Sequence, residues 1–405
     1  MQPLEGVVQS YPWGSRTLLA ELRGEESPSP RPQAEIWFGA HPLGPSTVGG
    51  RPLPDVIADD PAGQVGEADG QLPFLLKLLA ADAPLSLQAH PTREQAERGY
   101  AAEDEAGVAV TAPDRNYRDP NHKPELLVAL TEFHALAGFR PLDRTRELFA
   151  ELDIPELGRY LVLLDAGTPE EGLRSLFTTL LTLPSGVLGD LVDAVARACA
   201  AYDGGGWIGQ VAATTADIAL RYPGDPGVLA SMLLNRITLQ PGEAVYLGAR
   251  QLHAYLSGMG VEIMANSDNV LRGGLTSKHV DVVELLRVLE FAPLDDPVVR
   301  PRTDGADPRV RRWDVPVGEF RLESADLAAG QEWSPSGDGR PRILLCVAGS
   351  AIAGGAADGA RDDAAALELT PGAAAWVPAA DDAPQVVAGD AGATVFAATT
   401  GRPSG

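Results

Sequence analysis

Short apolar runs, interrupted at frequent intervals by glycine and proline, make up most of this chain. Its 405 residues include 44 glycines and 34 prolines, and typical runs are residues 35–39 and 72–77. Glycine and proline end regular structure and strands need only a few residues, so this punctuation is typical of strands joined by turns. Similar runs return at residue 237 and continue from about residue 300. We therefore expect a mainly β fold, and the length predicts two or three domains.

One segment, residues 141–234, departs from this pattern and carries helical signals. Residues 168–171, Thr-Pro-Glu-Glu, have the sequence of a capping box with proline at the first helical position. Apolar residues recur at helical spacing after it, and we interpret the segment as a helical insert. A separate amphipathic helix is expected with Asp281 in its first turn. The other stretches with a helical pattern are residues 188–202, 207–221, 226–234 and 280–290.

The end of the chain weakly repeats a sequence from its middle. Residues 241–249 resemble residues 371–379, as two β-sandwich units of one kind would. The second unit contains no histidine, because His279 is the last histidine in the chain. Only the first unit can therefore hold a histidine-ligated metal. The predicted divisions are residues 1–140 and 235–298 as the two parts of the first unit, the insert 141–234, and the second unit 299–405.

The formal charge of −24 excludes some functions and constrains others. Nucleic-acid binding needs a basic face, and no run of lysine and arginine supplies one. No apolar run is long enough to span a bilayer, and the first residues lack the basic and apolar regions of a secretory signal. A phosphorylated ligand would meet a repulsive overall field. A site for such a ligand must therefore carry its own concentrated positive charge.

The two cysteines, Cys199 and Cys346, lie far apart and form no CxxC pair. A disulfide framework or a thiolate metal site is therefore not expected. Apolar residues flank both cysteines, which predicts buried thiols. Such a chain suits the reducing cytoplasm. We expect a monomer or weak homo-oligomer whose partner is a small molecule, with no nucleic acid and no membrane.

A candidate metal site begins in residues 85–91, where apolar and polar residues alternate. If this run is a strand, Ser86, Gln88 and His90 share one of its faces. A metal site built from a strand uses this spacing. A half-buried strand with a hydrogen-bonded histidine would show the same pattern, so the spacing alone leaves both readings open.

Two later segments add polar side chains of the same kinds. Lys123 and Glu125 would project together from an extended backbone, although a charged turn is the alternative. Residues 251–255 again place polar groups, including His253, on one face of a β-segment. Residues 261–278 contain more polar residues and glycines than a pair of core strands needs. We interpret them as a long functional loop.

Two histidines, one carboxylate and one amide oxygen could together surround a divalent ion. Nitrogen and oxygen ligands without a thiolate allow zinc, and equally iron, manganese or nickel. The four candidate ligands are Gln88, His90, Glu125 and His253.

Six segments of the chain match one known family in order. They are residues 11–14, 35–42, 72–91, 121–125, 138–141 and 248–278. Through them the chain resembles the type I mannose-6-phosphate isomerase family of zinc-dependent cupin enzymes. Residues 121–125 and 266–278 are the most specific parts, whereas the C-terminal hundred or so residues match only in their β-rich character. The resemblance implies two cupin-like (jelly-roll) β-domains, the first of them catalytic and interrupted by an inserted α-helical domain.

The resemblance also implies a role for each residue that matches the family's motifs. One zinc ion per chain would be held by Gln88, His90, Glu125 and His253. The catalytic residues would be Arg272, Lys123, His122, Glu262, Tyr255 and Asp268. The substrate- and phosphate-binding residues would be Lys77, Ser86, Lys278 and Trp13, the last of which core packing explains equally well. The family's Thr-Pro-Lys is Thr276-Ser277-Lys278 here, and we expect little consequence because the lysine is kept.

The implied reaction interconverts mannose 6-phosphate and fructose 6-phosphate. The sugar ring opens, a proton leaves C2, a cis-enediol forms, and a proton returns to C1. We expect Lys123 to transfer this proton and His122 to assist ring opening, with Glu262 and Asp268 as rival bases. Arg272 suits stabilisation of the enediolate or the phosphate. The metal would either polarise the sugar hydroxyls or mainly hold its ligands in place.

Two other functions stay open beside this one. Two histidines and a carboxylate can form an iron site in a different metal-dependent cupin enzyme, but such an enzyme needs no cluster of cations for a phosphate. A non-catalytic sugar-phosphate-binding cupin could keep the pocket, but it could lose Lys123, Glu262 and Arg272, which are all present. The histidines for which we expect only a structural role are His41, His134 and His279.

Overall fold

The computed structural model describes residues 1–66, 70–303, 305–336, 339–354 and 366–401. Two antiparallel sheets of 11 strands each, together with a group of helices, make up the fold of these residues. The prediction of a mainly β fold with an inserted helical segment is confirmed. The domain boundaries stay a prediction, and residues 355–365 and 402–405 of the proposed C-terminal domain lie outside the described residues.

Both sheets draw their strands from distant parts of the chain. The strands are β1 (Gln2–Glu5), β2 (Val7–Gln9), β3 (Glu35–Gly39), β4 (Thr47–Val48), β5 (Arg51–Pro52), β6 (Phe74–Ala81), β7 (Leu87–Ala89), β8 (Glu125–Ala129), β9 (Phe133–Phe139), β10 (Leu234–Leu239), β11 (Ala244–Leu247), β12 (His253–Ala265), β13 (Leu271–Gly274), β14 (Val298–Val299), β15 (Arg302–Thr303), β16 (Val310–Arg312), β17 (Arg321–Leu327), β18 (Glu332–Trp333), β19 (Arg342–Gly354), β20 (Leu367–Leu369), β21 (Ala374–Val377) and β22 (Gln385–Thr399). The N-terminal sheet consists of β2, β3 and β6–β14. The C-terminal sheet consists of β1, β4, β5 and β15–β22.

The first strand of the chain belongs to the C-terminal sheet. β1 pairs with β21 on one side and with β4 on the other. The strand pairing therefore departs from the predicted boundaries, which assign residues 1–140 to the catalytic domain. A pairing between strands so far apart in sequence leaves no local pattern from which it could be predicted.

β12 is the strand around which the N-terminal sheet is built. Residues 258–265 pair with β6, and residues 260–264 pair with β8 on the other side. The first residues of β12 pair instead with β7 and β9. A register shift between Tyr255 and Ser257 and a φ of 117° at Gly258 mark the change of partners. Such an irregularity bends a strand, so β12 passes from one layer of the sheet to the other.

The prediction of a long loop over residues 261–278 is wrong for much of that stretch. Residues 261–265 are the buried end of β12, and residues 271–274 form β13. Polar and glycine content was misleading because it has structural causes here. The Glu262 carboxylate is paired inside the protein with Lys77. A Cβ atom at Gly274 would lie 2.6 Å from the Cα atom of Gly227, so the close approach of the segment around Gly227 requires glycine.

The helical segment spans residues 142–231 and packs on the N-terminal sheet. The helices are α1 (Leu18–Leu22), α2 (Leu53–Asp59), α3 (Pro61–Val65), α4 (Arg93–Glu105), α5 (Leu142–Leu152), α6 (Pro155–Leu161), α7 (Pro169–Leu181), α8 (Ser185–Ala201), α9 (Gly206–Arg221), α10 (Gly227–Ser231) and α11 (Val282–Val288), with a short 3₁₀ helix at Val162–Asp165. The capping box of Thr168 and Glu171 is confirmed at the start of α7. Asp281 is the N-cap of α11 rather than a first-turn residue.

An apolar core shared by the two sheets fixes their relative position. Phe38 of β3 belongs to the same buried cluster as Phe320 and Trp376 from the C-terminal part of the chain. Trp313 stacks on Phe396 with 5.9 Å between ring centroids. Its indole nitrogen donates a hydrogen bond of 3.1 Å to the carbonyl of Gly242. The segment before β17 is thus anchored to both parts of the molecule by packing.

Two smaller expectations concern the cysteines and a membrane. Cys199 and Cys346 are free and buried, as predicted.

Among the described residues, no single helix is long and apolar enough to cross a membrane. α7 and α8 meet the length and composition criteria only as a pair, bent by 109°.

The bend in β12 generates a stability prediction. Replacement of Gly258 by alanine should destabilise the fold by about 2 kcal/mol or more, because of the positive φ and the crowding of a Cβ atom. That Cβ atom would lie 2.6 Å from the carbonyl oxygen of Glu132. The matched control is Gly158→Ala in α6, where a Cβ atom would meet nothing within 4 Å. This substitution should stabilise the fold by roughly 0.5–1 kcal/mol. Urea unfolding measures both, and equal effects of the two substitutions would refute the role given to Gly258.

Candidate metal centre and active site

Three potential metal ligands converge inside the N-terminal sheet. His90 follows β7, Glu125 begins β8 and His253 begins β12. Each offers one ligand atom, and these atoms all lie within 4.8 Å of one another. The two histidines are fully buried and Glu125 is 2% exposed. We call these three residues the metal cluster.

The metal cluster contains polar atoms that no protein group satisfies. Both Nε2 atoms and Glu125 Oε2 are buried without a hydrogen-bond partner among the residues that the structure describes. The two Nε2 atoms each lie 3.5 Å from an oxygen of Glu125. An unsatisfied buried polar group costs about 1–3 kcal/mol, so three in one place call for an additional partner. A divalent cation would satisfy all three, and the nitrogen and oxygen donors suit zinc.

The second nitrogen of each imidazole is held by a backbone carbonyl. His90 Nδ1 lies 2.7 Å from the carbonyl oxygen of Asn269, and His253 Nδ1 lies 3.0 Å from that of Gln251. A carbonyl can only accept, so Nδ1 carries the hydrogen and Nε2 keeps its lone pair for the metal. Burial lowers the pKa of His90 to about 4, which keeps the ring neutral.

The carboxylate of the metal cluster is kept ionised by its neighbours. Burial alone would raise the pKa of Glu125. Chief among the causes that outweigh burial is the Lys123 ammonium, whose Nζ lies 3.1 Å from Glu125 Oε1, and the pKa of Glu125 is held well below its usual range. Lys123 is thus placed beside the metal cluster, as the sequence predicted.

Gln88, the fourth predicted ligand, lies on β7 next to the metal cluster. In the strand pairing it stands opposite His253 of β12 on one side and opposite Arg272 of β13 on the other. Directly opposed residues of antiparallel strands project to the same face with Cβ atoms about 4.5–5.5 Å apart. The three side chains therefore form a row, with the metal cluster at one end and a guanidinium at the other.

Arg272 belongs to a group of three cations. Burial and the Arg118 guanidinium lower the pKa of Arg272. Burial, Arg272 and Arg118 lower the pKa of Lys278 in the same way. Within the described parts of the chain, no carboxylate forms an ion pair with any of these three side chains. This cation cluster, as we call it, is a place where an anion would be stabilised.

Asp225 fixes the conformation of the loop between Arg272 and Lys278. Its carboxylate accepts hydrogen bonds from the backbone nitrogens of Leu275 and Gly227, at 2.9 and 2.7 Å. Leu275 has a φ of 56°, and a Cβ atom at Gly274 would lie 2.6 Å from the Cα atom of Gly227. The close approach of α10 therefore explains why glycine follows Arg272 in this segment.

A second group of polar residues is buried on the other side of the bend in β12. Lys77 Nζ donates to Glu262 Oε2 at 2.8 Å and lies 3.5 Å from Glu35 Oε1. The Tyr255 hydroxyl donates to Glu262 Oε1 at 2.8 Å, and the indole of Trp37 donates to Glu35 at 2.7 Å. We call these five residues the buried ion-pair network.

The buried ion-pair network changes what two of its members can do. Burial would lower the pKa of Lys77, but Glu262 and Glu35 outweigh it and raise that pKa. Burial raises the pKa of Glu262 despite Lys77. The positive charge of Lys77 is thus shared between two carboxylates, and the structure does not bring this predicted phosphate-binding residue together with the cation cluster.

The other predicted residues lie around these groups. Asp268 lies at the surface of the site with a carboxylate oxygen 3.5 Å from His41 Nε2, so His41 is nearer to the site than a purely structural role predicts. Ser86 precedes β7, and Trp13 packs against the apolar cluster that contains Tyr255. His122 Nε2 lies 2.6 Å from a carboxylate oxygen of Glu319.

The remaining histidines lie outside the metal cluster. His134 contacts Arg236 and Thr238 at 3.1 and 3.2 Å. His279 is exposed. The contacts of His134 and the exposed position of His279 give no indication that either histidine belongs to the site.

Sequence reasoning missed four residues that the structure places at or around the site. They are Glu35, Arg118, Asn269 and Glu319. Asn269 is fully buried, and its side-chain oxygen accepts from the backbone nitrogen of Arg118 at 2.7 Å. Its amide nitrogen donates to the carbonyl of Asn121 at 2.8 Å. Asn269 lies in a segment that the sequence singled out, but nothing in an isolated asparagine indicates such a hub.

Comparisons with known proteins show which family this chain is similar to. Residues 1–142 match the model of the family "Phosphomannose isomerase type I, catalytic domain". Mannose-6-phosphate isomerase of Escherichia coli K12 is 38% identical over 402 residues, covering 96% of this chain and 97% of that one. The human mannose-6-phosphate isomerase is 33% identical over 387 residues, covering 87% and 88%.

Solved structures show the same likeness along the whole chain. The apo form of mannose 6-phosphate isomerase from Salmonella typhimurium superposes with a TM-score of 0.87 at 35% identity, covering 99% of both chains. A zinc-bound holo form of mannose 6-phosphate isomerase gives a TM-score of 0.86 at 35% identity with the same coverage.

The hydrogen bond to His90 generates a prediction about metal affinity. Replacement of Asn269 by alanine should weaken zinc binding by about 10–100-fold, because the carbonyl that orients His90 loses its fixed position. Competition with a chromophoric chelator measures the affinity. His90→Gln should lose it almost entirely, and His134→Gln, outside the metal cluster, should leave it unchanged. Unaltered zinc affinity in the folded Asn269→Ala protein would contradict the role of Asn269.

Proposed function

The chain belongs to the type I mannose-6-phosphate isomerase family, and on that premise we propose how its residues interconvert mannose 6-phosphate and fructose 6-phosphate. The observation that carries the proposal is the row of Gln88, His253 and Arg272. It sets ligand atoms that lack a hydrogen-bond partner beside cations that lack a counterion, as far as the described residues go. An enzyme that acts on the polar end of a sugar phosphate needs both features in one place.

The metal in this proposal is one zinc ion held by His90, Glu125 and His253, with Gln88 as the fourth ligand. Zinc bound there would act as a Lewis acid toward sugar oxygens and would order its ligands. The protein supplies neutral imidazoles through the two carbonyl contacts and an ionised carboxylate through Lys123. These are the protonation states that zinc binding requires.

We assign the phosphate to the cation cluster. Arg118, Arg272 and Lys278 offer guanidinium and ammonium donors, which phosphate oxygens accept in charge-assisted hydrogen bonds. Lys77, which the sequence assigned to the phosphate, instead holds Glu262 in this proposal, because two carboxylates already surround it. Ser86 stays a predicted hydrogen-bond donor to the phosphate, and Trp13 is still predicted to line the pocket.

The proton transfer is assigned to Lys123, with Glu262 as its rival. Lys123 is paired with the ionised Glu125 and so carries a proton in this arrangement. It can act as the base only after that proton has left to solvent. After ring opening, the base removes the proton from C2 and the pair of electrons forms the C1–C2 double bond of the enediolate. The electron pair of the C1 carbonyl moves to O1 as this double bond forms. The hydroxyl on C2 then passes its proton to O1, C2 becomes a carbonyl, and the base returns its proton to C1. Arg272 is the proposed donor to the developing oxyanions. The Tyr255 hydroxyl donates to Glu262 Oε1, so Tyr255 is proposed to orient this carboxylate. Burial raises the pKa of Glu262, which makes this carboxyl a better base than an exposed one. Asp268, at the surface beside His41, is the weaker candidate.

The two alternatives receive less support. The near-full-length relatives are mannose-6-phosphate isomerases, which disfavours an oxygen-dependent cupin. A non-catalytic binding protein has no need for Lys123, Glu262 and Arg272 together. A monomer or weak homo-oligomer stays the expected state of the chain.

The first test is turnover of mannose 6-phosphate in a coupled assay. The purified protein should produce fructose 6-phosphate, a chelator should remove the activity, and zinc should restore it. His253→Gln should not recover with zinc, whereas His134→Gln should behave like the unaltered protein. Absence of turnover in the zinc-loaded protein would contradict the proposed function.

The assignment of Arg118 has its own test. Arg118→Gln should raise the KM for mannose 6-phosphate roughly 10–100-fold, as expected for the loss of one hydrogen bond to a charged group. kcat should change much less, because the phosphate does not react. The matched control is Arg221→Gln on α9, where the exposed guanidinium pairs only with Asp217. An unchanged KM in Arg118→Gln would remove this arginine from the phosphate site.

A further inference from the structure

A carboxylate from the C-terminal part of the chain reaches the segment that carries His122 and Lys123. Glu319 Oε1 lies 2.6 Å from His122 Nε2 and 2.8 Å from a guanidinium nitrogen of Arg93. Arg93, at the start of α4, also donates to the side-chain oxygen of Asn121 at 3.0 Å. Glu319 thus links the C-terminal part of the chain directly to His122.

The contact decides which ring nitrogen of His122 carries the hydrogen. The hydrogen bond from His122 and the charge of Arg93 help to lower the pKa of Glu319 to about 2, against the effect of its partial burial. An ionised carboxylate can only accept, so the hydrogen sits on Nε2. In the neutral ring, Nδ1 is then the nitrogen with a free lone pair. No described residue makes a hydrogen bond to that Nδ1 atom.

The segment around Glu319 does not depend on this carboxylate for its place. The neighbouring Phe320 is 2% exposed in the core that the two sheets share. Trp313, earlier in the same segment, is fixed by its hydrogen bond to Gly242 and by stacking on Phe396. Removal of the Glu319 carboxylate therefore leaves the backbone anchored and releases only His122 and Arg93.

We propose that Glu319 is a positioning residue that holds His122 in the tautomer and orientation needed to open the sugar ring. The proposal rests on the proposed isomerase function and on the expectation from the sequence that His122 assists ring opening. In the step, the hydroxyl on C1 gives its proton to Nδ1 and C1 becomes a carbonyl. The bond between C1 and the ring oxygen breaks, and its electron pair goes to the ring oxygen. The imidazolium then returns the proton to that oxygen, so His122 ends in its starting state. The C-terminal sheet region thereby contributes to catalysis through one side chain.

The test compares Glu319→Ala with Glu319→Gln and with a control on the C-terminal sheet. Glu319→Ala should lower kcat about 10–100-fold, as for partners that orient an imidazole, with KM, zinc content and melting temperature nearly unchanged. Glu319→Gln keeps an acceptor oxygen and should recover much of the loss. The control is Glu332→Ala, which removes an exposed carboxylate whose side-chain hydrogen bond is to Gln385 and should leave kcat unchanged.

A double-mutant cycle separates positioning from a general structural effect. In a His122→Gln background, Glu319→Ala should have no further effect on kcat, because its target is gone. Exchange between the α and β anomers of mannose 6-phosphate, followed by NMR, should slow in Glu319→Ala in proportion to kcat. Full kcat in Glu319→Ala, or an equal loss in both backgrounds, would overturn the proposal. Both results leave the wild-type turnover intact, so they are distinguishable from failure of the proposed isomerase function itself.

Discussion

The active-site geometry depends on the course of one strand. β12 pairs with β7 and β9 before its bend and with β6 and β8 after it. His253 lies before the bend and Glu262 after it. Because backbone hydrogen bonds fix both halves, the metal cluster and the buried ion-pair network are held at a set distance within one continuous element. Sites built on strands are held more precisely than sites on loops. Here Glu125, His253 and Glu262 lie on strands, whereas His122, Lys123 and Asp268 lie in the segments between strands.

The distribution of charge within the site explains how a chain with a large negative net charge can bind a negatively charged phosphate. The cations are divided between two tasks. Lys77 and Lys123 are paired with carboxylates inside the protein, where they stabilise buried ionised groups and add little field outside. Arg118, Arg272 and Lys278 have no such partner among the described residues, and they lie together. A small number of uncompensated charges in one place is enough to attract an anion against a repulsive background, because the field at short range is set by the nearest charges.

The features of this structure that could be predicted from the sequence are those that depend on residues close together in the chain. The capping box at Thr168 depends on neighbours in the chain, and it predicted the start of α7. The alternation around His90 is local too, but by itself it left open whether His90 binds a metal. The interpretation of residues 261–278 as a loop failed because Glu262 finds its partner in β6. Arg118 and Asn269 are separated by 151 positions, and His122 and Glu319 by 197. Contacts over such separations leave no periodic signal, and their members are single polar residues of common types.

The pairing of β1 with β21 has a consequence for how the chain reaches this state during its synthesis. Leu4 stands opposite Ala374, about 370 positions later. At ribosomal rates of about 5–20 residues per second, β1 waits roughly 20–70 s for this partner to be made. During that time its edge is open to other chains. β1 is only four residues long, and such shortness is one of the ways in which proteins keep an unpaired strand from aggregating. The last part of the chain to be translated thus closes a sheet that the first part began.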